Sequence, residues 1–417
     1  MTTPSLQQTI ERALCKQPLT FLDPFFYTSP ELTQIEQRNI FSQTWLYVGH
    51  TSKLDKSGSI LSVEAAGRSL IIMRSSSGKI GAYLNACSHR GSTLYDHKKE
   101  QESCSKPLKC IVCPYHGWTF DLDGSLQGVP EKSRFSSELN FSRLSLKPVR
   151  IETWGPLMFV SFNETAPPLN KFLGDAVTRM AGFPVDSLTL LFEKDYDVAC
   201  NWKTFHDNGL CDYHVSIAHK STLKDVQGLT KHYQYVYDDY VNALITPITK
   251  SWQDENAIWS ELSEPLRSQF VTFGIFPNLH VYALPDGTLY IERIDPVSTD
   301  QCRIHSEVYG RDSHRNNVNE LIDWYDALFE EDRILAEGVQ QGYRSIQGES
   351  KNDQYAPGPI NQLEARIIHQ QQLIRRFLLS SLERELISPV GSDYSNYFKE
   401  SVTFDAMKSR RVQHYTS

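Results

Sequence analysis

The chain has 417 residues, with 42 Lys and Arg against 50 Asp and Glu and a formal net charge of -8. This length suggests two domains, and the lack of excess cations argues against a general nucleic-acid binder. No apolar run reaches about eighteen residues, so we expect no membrane span. Residues 1–20 carry scattered charges instead of the apolar core of an export signal, which predicts a cytoplasmic protein.

The first part of the chain is predicted to be rich in β-strands. Strand patterns cover residues 69–74, 80–86, 118–122 and 157–162, with turns at 75–79 and at Asp123-Gly124. Short strands joined by Gly turns are typical of a small antiparallel domain, which we place at residues 45–165. Residues 1–44 are predicted to pack on the larger domain that follows.

The pattern changes after Pro167-Pro168. Helical segments are predicted around residues 170–182, 201–218, 316–341 and 362–385, with strands at 233–238, 279–283, 289–294 and 303–309. Residues 348–359 are polar with Gly and Pro and indicate a surface loop. The predicted fold class is α+β, and the larger domain, residues 166–417, has an antiparallel sheet covered by helices.

The eight cysteines are unevenly spread, and four of them lie between residues 87 and 113. Without an export signal a disulfide framework is not expected, so this crowding points to a metal or a cluster. Two short motifs, Cys87-Ser88-His89-Arg90-Gly91 and Cys113-Pro114-Tyr115-His116-Gly117-Trp118, each supply one thiolate and one imidazole. Two Cys and two His suit a [2Fe–2S] cluster or a zinc site, and one of each per loop favours the cluster.

These motifs, with Ala82-Tyr83-Leu84-Asn85-Ala86 before them and Asp121-Leu122-Asp123-Gly124 after, resemble the Rieske motif of ring-hydroxylating oxygenases. The resemblance implies a [2Fe–2S] cluster held by Cys87, His89, Cys113 and His116. One departure is that the segment between His89 and Cys113 is longer than is usual in the family. Its residues 98–109 are polar, hold Cys104 and Cys110, and are predicted to form a surface loop. Cys110 is an alternative ligand, but the sequence around Cys113 favours Cys113.

A second candidate metal site follows Asn201-Trp202-Lys203. On a regular helix His214 and His219 would point about 140° apart, so a shared metal needs a wide turn or a helix end between them. The succession Asn-Trp-Lys, Asp207-Asn208 and Tyr-His-Val-x-x-x-His is similar to the mononuclear iron motif of the same family. The resemblance therefore implies that His214 and His219 bind Fe(II).

The third ligand of such an iron is typically a carboxylate. Residues 317–343 predict an amphipathic helix whose inward stripe contains Leu321, Tyr325, Leu328, Asp332, Leu335 and Val339. A buried carboxylate is costly, and a bound cation would offset that cost; a helix-end or ion-paired Asp is the alternative. The segment from Glu331 to Gly342 also resembles the family's C-terminal ligand segment, which places the ligand at Asp332.

In the family, an acid three or four residues before the first histidine ligand usually links it to a Rieske histidine of the neighbouring subunit. Here those positions hold Cys211 and Leu210. The nearest acids are Asp212, which is the preferred candidate, and Asp207; the absence of a bridge is the third possibility. Asp207, Asp212 and the adjoining Asn208 are the candidate catalytic residues.

The resemblance extends roughly from Phe25 to Leu379 and implies an oxygenase. Its electrons would come from NAD(P)H through a separate reductase, with or without a ferredoxin; no dinucleotide-binding fingerprint stands out in this chain. It also implies a homotrimer, sometimes with a small β subunit. We expect dioxygen and an aromatic ring compound or aromatic acid as substrates.

Two alternatives to this function remain open. One is a monooxygenase or demethylase of a quaternary amine of the betaine or choline type. The other is an electron-transfer protein with a vestigial second site. A substrate carboxylate would require an Arg or Lys in the pocket, whereas a trimethylammonium group would require an aromatic cage and an acid.

Overall fold

The computed structural model describes residues 19–96, 108–346, 357–385 and 413–414. They fall into two compact units, one formed by Phe41–Leu169 and the other by the residues on either side of it. No helix within the described ranges is long and apolar enough to cross a membrane. The loops predicted at 98–109 and 348–359, with Cys104, lie largely outside the described residues.

The smaller unit contains two antiparallel sheets, of six and three strands, in the orders β1-β9-β8-β4-β3-β2 and β5-β6-β7. The strands are β1 Leu46–His50, β2 Ile60–Ala65, β3 Arg68–Arg74, β4 Ile80–Leu84, β5 Cys110–Val112, β6 Thr119–Asp121, β7 Leu126–Gly128, β8 Pro148–Trp154 and β9 Leu157–Ser161. Cys87 and Cys113 are buried in one apolar cluster with Ile71, Trp118 and Phe120. The core of this unit therefore brings together the two loops that each carry a cysteine and a histidine.

The larger unit is built on an eight-stranded antiparallel sheet of order β10-β16-β15-β14-β13-β12-β11-β17. Its strands are β10 Thr189–Val198, β11 Gln234–Tyr237, β12 Val241–Pro247, β13 Gln269–Ile275, β14 Leu279–Ala283, β15 Leu289–Ser298, β16 Gln301–Gly310 and β17 Gln413–His414. Its helices are α1 Phe25–Thr28, α2 Pro30–Glu36, α3 Leu169–Leu173, α4 Asp175–Arg179, α5 Trp202–Gly209, α6 Val215–Ala218, α7 Leu223–Val226, α8 Lys250–Glu255, α9 Val318–Ile346 and α10 Ala365–Glu385. The predicted α+β class, with antiparallel sheets and helices, is confirmed.

One face of the large sheet carries an unusual number of polar side chains. Directly paired residues share a face, and one such row across β12 to β16 reads Asn242, Gly274, His280, Glu292 and Ser306. The neighbouring row reads Leu244, Thr272, Tyr282, Tyr290 and Val308. Three helices pack on this face through polar contacts. His206 of α5 stacks on His280, Tyr325 of α9 donates a hydrogen bond to Ser306, and Arg366 of α10 donates one to Asn242.

Helix α9 corrects one prediction. Leu335 and Val339 are 37% and 45% exposed, so the inward stripe does not continue through them. The buried positions beyond Asp332 are Ala336 and Gln340. The Gln340 side chain accepts a hydrogen bond from the Asn201 amide and donates one to a backbone carbonyl of α1. The buried, hydrogen-bonded side chain of Gln340 thus occupies the inward position that the apolar pattern had assigned to its neighbour, Val339.

Two other predicted helices are interrupted. The segment 170–182 divides into α3 and α4 at Gly174, whose φ is 43° and where a Cβ atom would lie 2.0 Å from a carboxylate oxygen of Asp238. The segment 201–218 divides into α5 and α6, and the break holds residues 210–214. This second break matters for function, because it places His214 at the start of a new helix.

Candidate functional site

The loops Cys87–Gly91 and Cys113–Gly117 of the smaller unit share one backbone hydrogen bond and one glycine conformation. In each, the glycine amide donates to the cysteine carbonyl, at 2.8 Å from Gly91 to Cys87 and at 3.0 Å from Gly117 to Cys113. Both glycines have a φ of 74°, which other residues adopt only with strain. Each loop thus closes a turn from its cysteine to its glycine, and the histidine follows Cys87 by two residues in one loop and Cys113 by three in the other.

The four candidate cluster ligands converge, with the sulfurs inside and the imidazoles outside. Cys87 and Cys113 are 3% exposed, whereas His89 and His116 are exposed and their Nδ1 atoms lie 3.2 Å apart. Burial raises the pKa of the Cys113 thiol, but hydrogen bonds from the Tyr115 amide and its neighbours outweigh burial and hold that pKa below its usual value. Buried thiols with amide donors and a pair of outward imidazoles fit a [2Fe–2S] cluster with two Cys and two His ligands.

Aromatic rings hold both imidazoles. His89 stacks on Trp118 with ring centroids 4.8 Å apart, and His116 stacks on Tyr115 at 3.9 Å. The Tyr115 hydroxyl in turn accepts a hydrogen bond of 2.8 Å from Arg90. The imidazoles are therefore fixed in orientation while their outer edges stay accessible to a partner.

A pair of serine variants distinguishes the two cysteines that compete as cluster ligand. Cys113 is buried beside Cys87, whereas Cys110 is half-buried on β5. We expect Cys113→Ser to abolish the visible absorption of the cluster and to remove its acid-labile sulfide, and Cys110→Ser to retain both. Absorption spectra with iron and sulfide analysis measure this. Loss of the cluster in Cys110→Ser with retention in Cys113→Ser would reverse the assignment.

In the larger unit, His214 and His219 flank the one-turn helix α6, which solves the angular problem of their spacing. Their Nε2 atoms lie 3.0 Å apart, and Oδ1 of Asp332 lies 3.3 Å from His214 and 3.1 Å from His219. Ligands about 2.1 Å from one metal and at right angles to each other stand about 3.0 Å apart. The three atoms therefore match one triangular face of a metal coordination sphere, and the opposite side is left for other ligands.

Further side chains orient these three residues. Glu331 accepts hydrogen bonds from His219 Nδ1 at 2.8 Å and from Thr222 at 2.6 Å, which leaves Nε2 of the histidine directed at the triad. The Asn208 amide donates to Oδ1 of Asp332 at 2.5 Å. Although burial raises the pKa of Asp332, the two histidines outweigh it and keep that pKa well below its usual value. The triad is thus held as an anionic carboxylate with two imidazoles, which fits a divalent iron.

The three candidate catalytic residues have different surroundings. Asn208 and Asp212 line the same cavity as the triad. Asp207 points elsewhere: it accepts a hydrogen bond of 2.7 Å from the Tyr27 hydroxyl, and burial raises its pKa to about 7. Cys211, at the position where the family usually has an acid, directs its thiol to Glu364 at 3.6 Å.

A cavity lies beside the triad, and its volume, counted with the space that is open to solvent, is about 650 Å³. One part of its lining, the aromatic wall, contains Phe270, Tyr282, Tyr290, Trp324 and Tyr325. One carboxylate, Glu292, lies in this wall at 8% exposure, accepting hydrogen bonds from Tyr325 at 2.5 Å and Tyr282 at 3.0 Å. Burial raises the pKa of Glu292 to about 7.

Sequence reasoning missed Glu292 and the aromatic wall. These residues come from β13, β14, β15 and α9 and share no motif. A trimethylammonium substrate requires an aromatic cage and an acid, but the sequence does not show which residues form them.

Two family models match the chain. Residues 44–149 match the Rieske [2Fe-2S] domain, and residues 185–380 match the ring hydroxylating alpha subunit (catalytic domain). The glycine betaine monooxygenase oxygenase subunit of Chromohalobacter salexigens is 26% identical over 381 residues, which cover 81% of this chain and 80% of the relative.

Two solved structures illustrate the similarity of fold. A quaternary ammonium Rieske monooxygenase, described in relation to carnitine oxidation by gut microbiota, has a TM-score of 0.72 and 24% identity, covering 86% of this chain and 96% of that one. Naphthalene 1,2-dioxygenase from Rhodococcus sp. has a TM-score of 0.71 and 19% identity, covering 91% and 99%. At these identities the two structures establish the fold of the chain.

Proposed function

Because this chain belongs to the Rieske non-haem iron oxygenases, we propose that it is the oxygenase component of a system that oxidises a small quaternary ammonium compound. The cofactors of the family are a Rieske [2Fe–2S] cluster and a mononuclear iron, and its oxygenase components receive electrons from a separate reductase. The NAD(P)H dependence of that reductase, a ferredoxin, a homotrimer and a small β subunit stay predictions from the resemblance.

The observation that carries the substrate class is the buried carboxylate of Glu292 within an aromatic wall. A quaternary ammonium group has no N–H to donate, so proteins bind it with ring faces and an acid. Such a cation would offset the cost of burying the Glu292 charge, whereas an aromatic acid carries no cation and would leave that charge without a partner. With a relative that is a glycine betaine monooxygenase subunit, this lining supports the quaternary amine alternative better than the aromatic substrate predicted first.

We propose the following roles for the residues of the site. Cys87, His89, Cys113 and His116 would hold the cluster, and His214, His219 and Asp332 would hold the iron. Bound there, the two groups supply electron storage and the activation of dioxygen. Glu292 binds the cationic end of the substrate, the aromatic wall excludes water around it, and Asn208 fixes the Asp332 carboxylate.

A substrate panel tests this proposal. The protein is supplied with NADH and a reductase from a quaternary amine monooxygenase system, and glycine betaine, gamma-butyrobetaine, choline, benzoate and anthranilate are compared. We expect oxygen-dependent loss of at least one quaternary amine, in step with NADH oxidation. Consumption of benzoate or anthranilate, with every quaternary amine recovered intact, would refute the proposal.

The cavity carboxylate also predicts how binding depends on pH. Glu292 faces the hydroxyls of Tyr282 and Tyr325, the imidazole of His280 at 3.7 Å, and the charge of Asp332. Burial lowers the pKa of His280 to about 3, so this imidazole stays neutral near pH 7. Because the pKa of Glu292 is raised to about 7, the carboxylate is protonated below that pH and ionised above it.

A quaternary ammonium ion does not titrate, so its affinity should follow the ionised fraction of Glu292. We expect the Kd to rise about tenfold for each pH unit below about 7 and to level off above about 8. Calorimetric titration across this range measures the effect, and Glu292→Gln is the control that should abolish the slope. A wild-type Kd that stays constant between about pH 6 and 8 would contradict the assignment.

We propose Asp212 as the residue that links the mononuclear site to the cluster, since it lies in the cavity wall two residues before His214. Asp212→Asn should leave both metal sites filled and the cluster reducible, yet lower turnover by about a hundredfold or more. Asp207→Asn is the comparison, because that carboxylate bonds to Tyr27 instead. Metal analysis with steady-state rates measures both variants, and unchanged turnover in Asp212→Asn would rule out the role.

A further inference from the structure

We propose that the substrate is a dipolar molecule, with a carboxylate as well as a quaternary ammonium group, and that Arg366 and Thr272 bind the carboxylate. This inference rests on the proposed function of the cavity and narrows its substrate class. It favours trimethylammonio carboxylates over amino alcohols such as choline.

Arg366 is a buried cation with an unused donor. It lies on α10 at 1% exposure and lines the cavity. Its Nε donates to Oδ1 of Asn242 at 2.9 Å, and its Nη1 lies 3.7 Å from Oδ1 of Asp212. Within the described part of the chain, Nη2 is buried and has no hydrogen-bond partner. An unmet donor on a buried guanidinium is costly, and a carboxylate is the group that it binds best.

Asp212 does not account for this donor. The carboxylate of Asp212 offsets part of the charge of Arg366, but the 3.7 Å separation is longer than a hydrogen bond and involves Nη1. Nη2 therefore stays available to a ligand even with this ion pair in place.

Thr272 supplies a second donor on the same wall. Its side chain is 2% exposed, lines the cavity, and has a buried hydroxyl without a partner among the described residues. Thr272 lies two residues from Gly274 on β13, and Gly274 pairs directly with Asn242, the residue that anchors Arg366. Thr272 is thus a diagonal neighbour of that anchor on the same face of the sheet. Nη2 of Arg366 and the Thr272 hydroxyl are thus two unmet donors of residues that line one cavity, and two donors suit the two oxygens of a carboxylate.

Glu292 and Asn242, the residue that anchors Arg366, stand on strands that are three positions apart in the sheet. From Asn242 on β12 to Glu292 on β15 the register crosses three strand spacings, or about 14 Å of backbone. A ligand with only a cation would satisfy Glu292 and leave Arg366 unmet. A ligand with separated opposite charges would satisfy both Glu292 and Arg366.

The test varies one end of the ligand at a time. Binding to the full chain with both metal sites filled is measured for gamma-butyrobetaine, for its carboxamide, and for its carbon isostere with a tert-butyl group in place of trimethylammonium. We expect the carboxamide to bind about tenfold to a hundredfold more weakly than gamma-butyrobetaine, because it loses a charge-assisted contact. The carbon isostere should also bind weakly, because it does not carry the cation that Glu292 requires.

Variants assign the effect to the two residues. Arg366→Gln should bind gamma-butyrobetaine and its carboxamide about equally, and Thr272→Val should reduce the preference between them. Arg376→Gln, on the exposed side of the same helix, should keep the wild-type preference. If Arg366→Gln does not fold, the affinities of Thr272→Val and of the wild type for the same ligands test the carboxylate site.

The outcomes separate this inference from the proposed function. Equal wild-type affinity for gamma-butyrobetaine and its carboxamide, with the carbon isostere bound weakly, overturns the carboxylate site and leaves the quaternary amine function in place. Equal affinity for gamma-butyrobetaine and the carbon isostere, with no quaternary amine oxidised, overturns the proposed function itself. If both Arg366→Gln and Thr272→Val still prefer gamma-butyrobetaine to its carboxamide, the assignment of the carboxylate site to these two residues is overturned.

Discussion

Asp332→Ala is expected to remove the mononuclear iron and to leave the [2Fe–2S] cluster in place. The substitution removes one of the three candidate ligand atoms, which are Oδ1 of Asp332 and Nε2 of His214 and of His219. These atoms lie 3.0 to 3.3 Å from one another. Two adjacent imidazoles without a carboxylate form an incomplete site for Fe(II). Iron should fall from about three to about two atoms per chain, and turnover by about a thousandfold or more.

The control for this prediction is Asp323→Ala, which removes an exposed carboxylate from the same helix. It should retain iron and activity. Iron and acid-labile sulfide analysis, with the spectrum of the cluster as the internal standard, measures both variants. Full iron content and turnover in Asp332→Ala would show that the triad is not the iron site.

Glu292→Gln is expected to raise the KM for the quaternary amine by about a hundredfold, with a much smaller change in kcat. The two tyrosines, Tyr282 and Tyr325, donate to different oxygens of Glu292. The glutamine keeps the shape of the side chain, its amide oxygen can accept from one tyrosine, and its NH2 group can donate to the hydroxyl of the other, so the charge is what the variant removes. A buried cation–carboxylate contact contributes to the bound substrate and to the transition state alike, which places its loss in KM.

Glu193→Gln serves as the matched control, because Glu193 is exposed on β10 and does not line the cavity. Steady-state kinetics with one quaternary amine, at a pH above 8, compares the two variants with the wild type. An unchanged KM in Glu292→Gln would remove the carboxylate from substrate binding and with it the main support for the substrate class.

The candidate metal ligands could be predicted from the sequence because each set occupies short segments. In each cluster loop the cysteine and the histidine lie within four residues, and His214 and His219 are separated by a single turn of helix. Asp332 is distant in sequence, but it stands in a long amphipathic helix that fixes which side faces inward. The prediction was wrong at Leu335 and Val339, since hydrogen bonds of the buried Gln340 determine the inward face there.

The substrate residues could not be predicted, for reasons that lie in the sheet. Both faces of β15 are largely covered, so Glu292 and Ile291 are both buried and alternation carries no information. Strand β13 was also missed, in part because Gly274 interrupts its apolar pattern. A Cβ atom at Gly274 would lie 2.5 Å from Leu210 and 2.7 Å from Asn242, which explains the glycine but is visible only in the folded chain.

The measurement that tests the central claim most directly is a single turnover, which requires no partner protein. The chain with both metal sites filled is reduced chemically, freed of reductant, and exposed to dioxygen with gamma-butyrobetaine or glycine betaine. We predict oxidised amine product in an amount that approaches the number of active sites, together with reoxidation of the cluster. No product from either amine, with benzoate converted under the same conditions, would contradict the account.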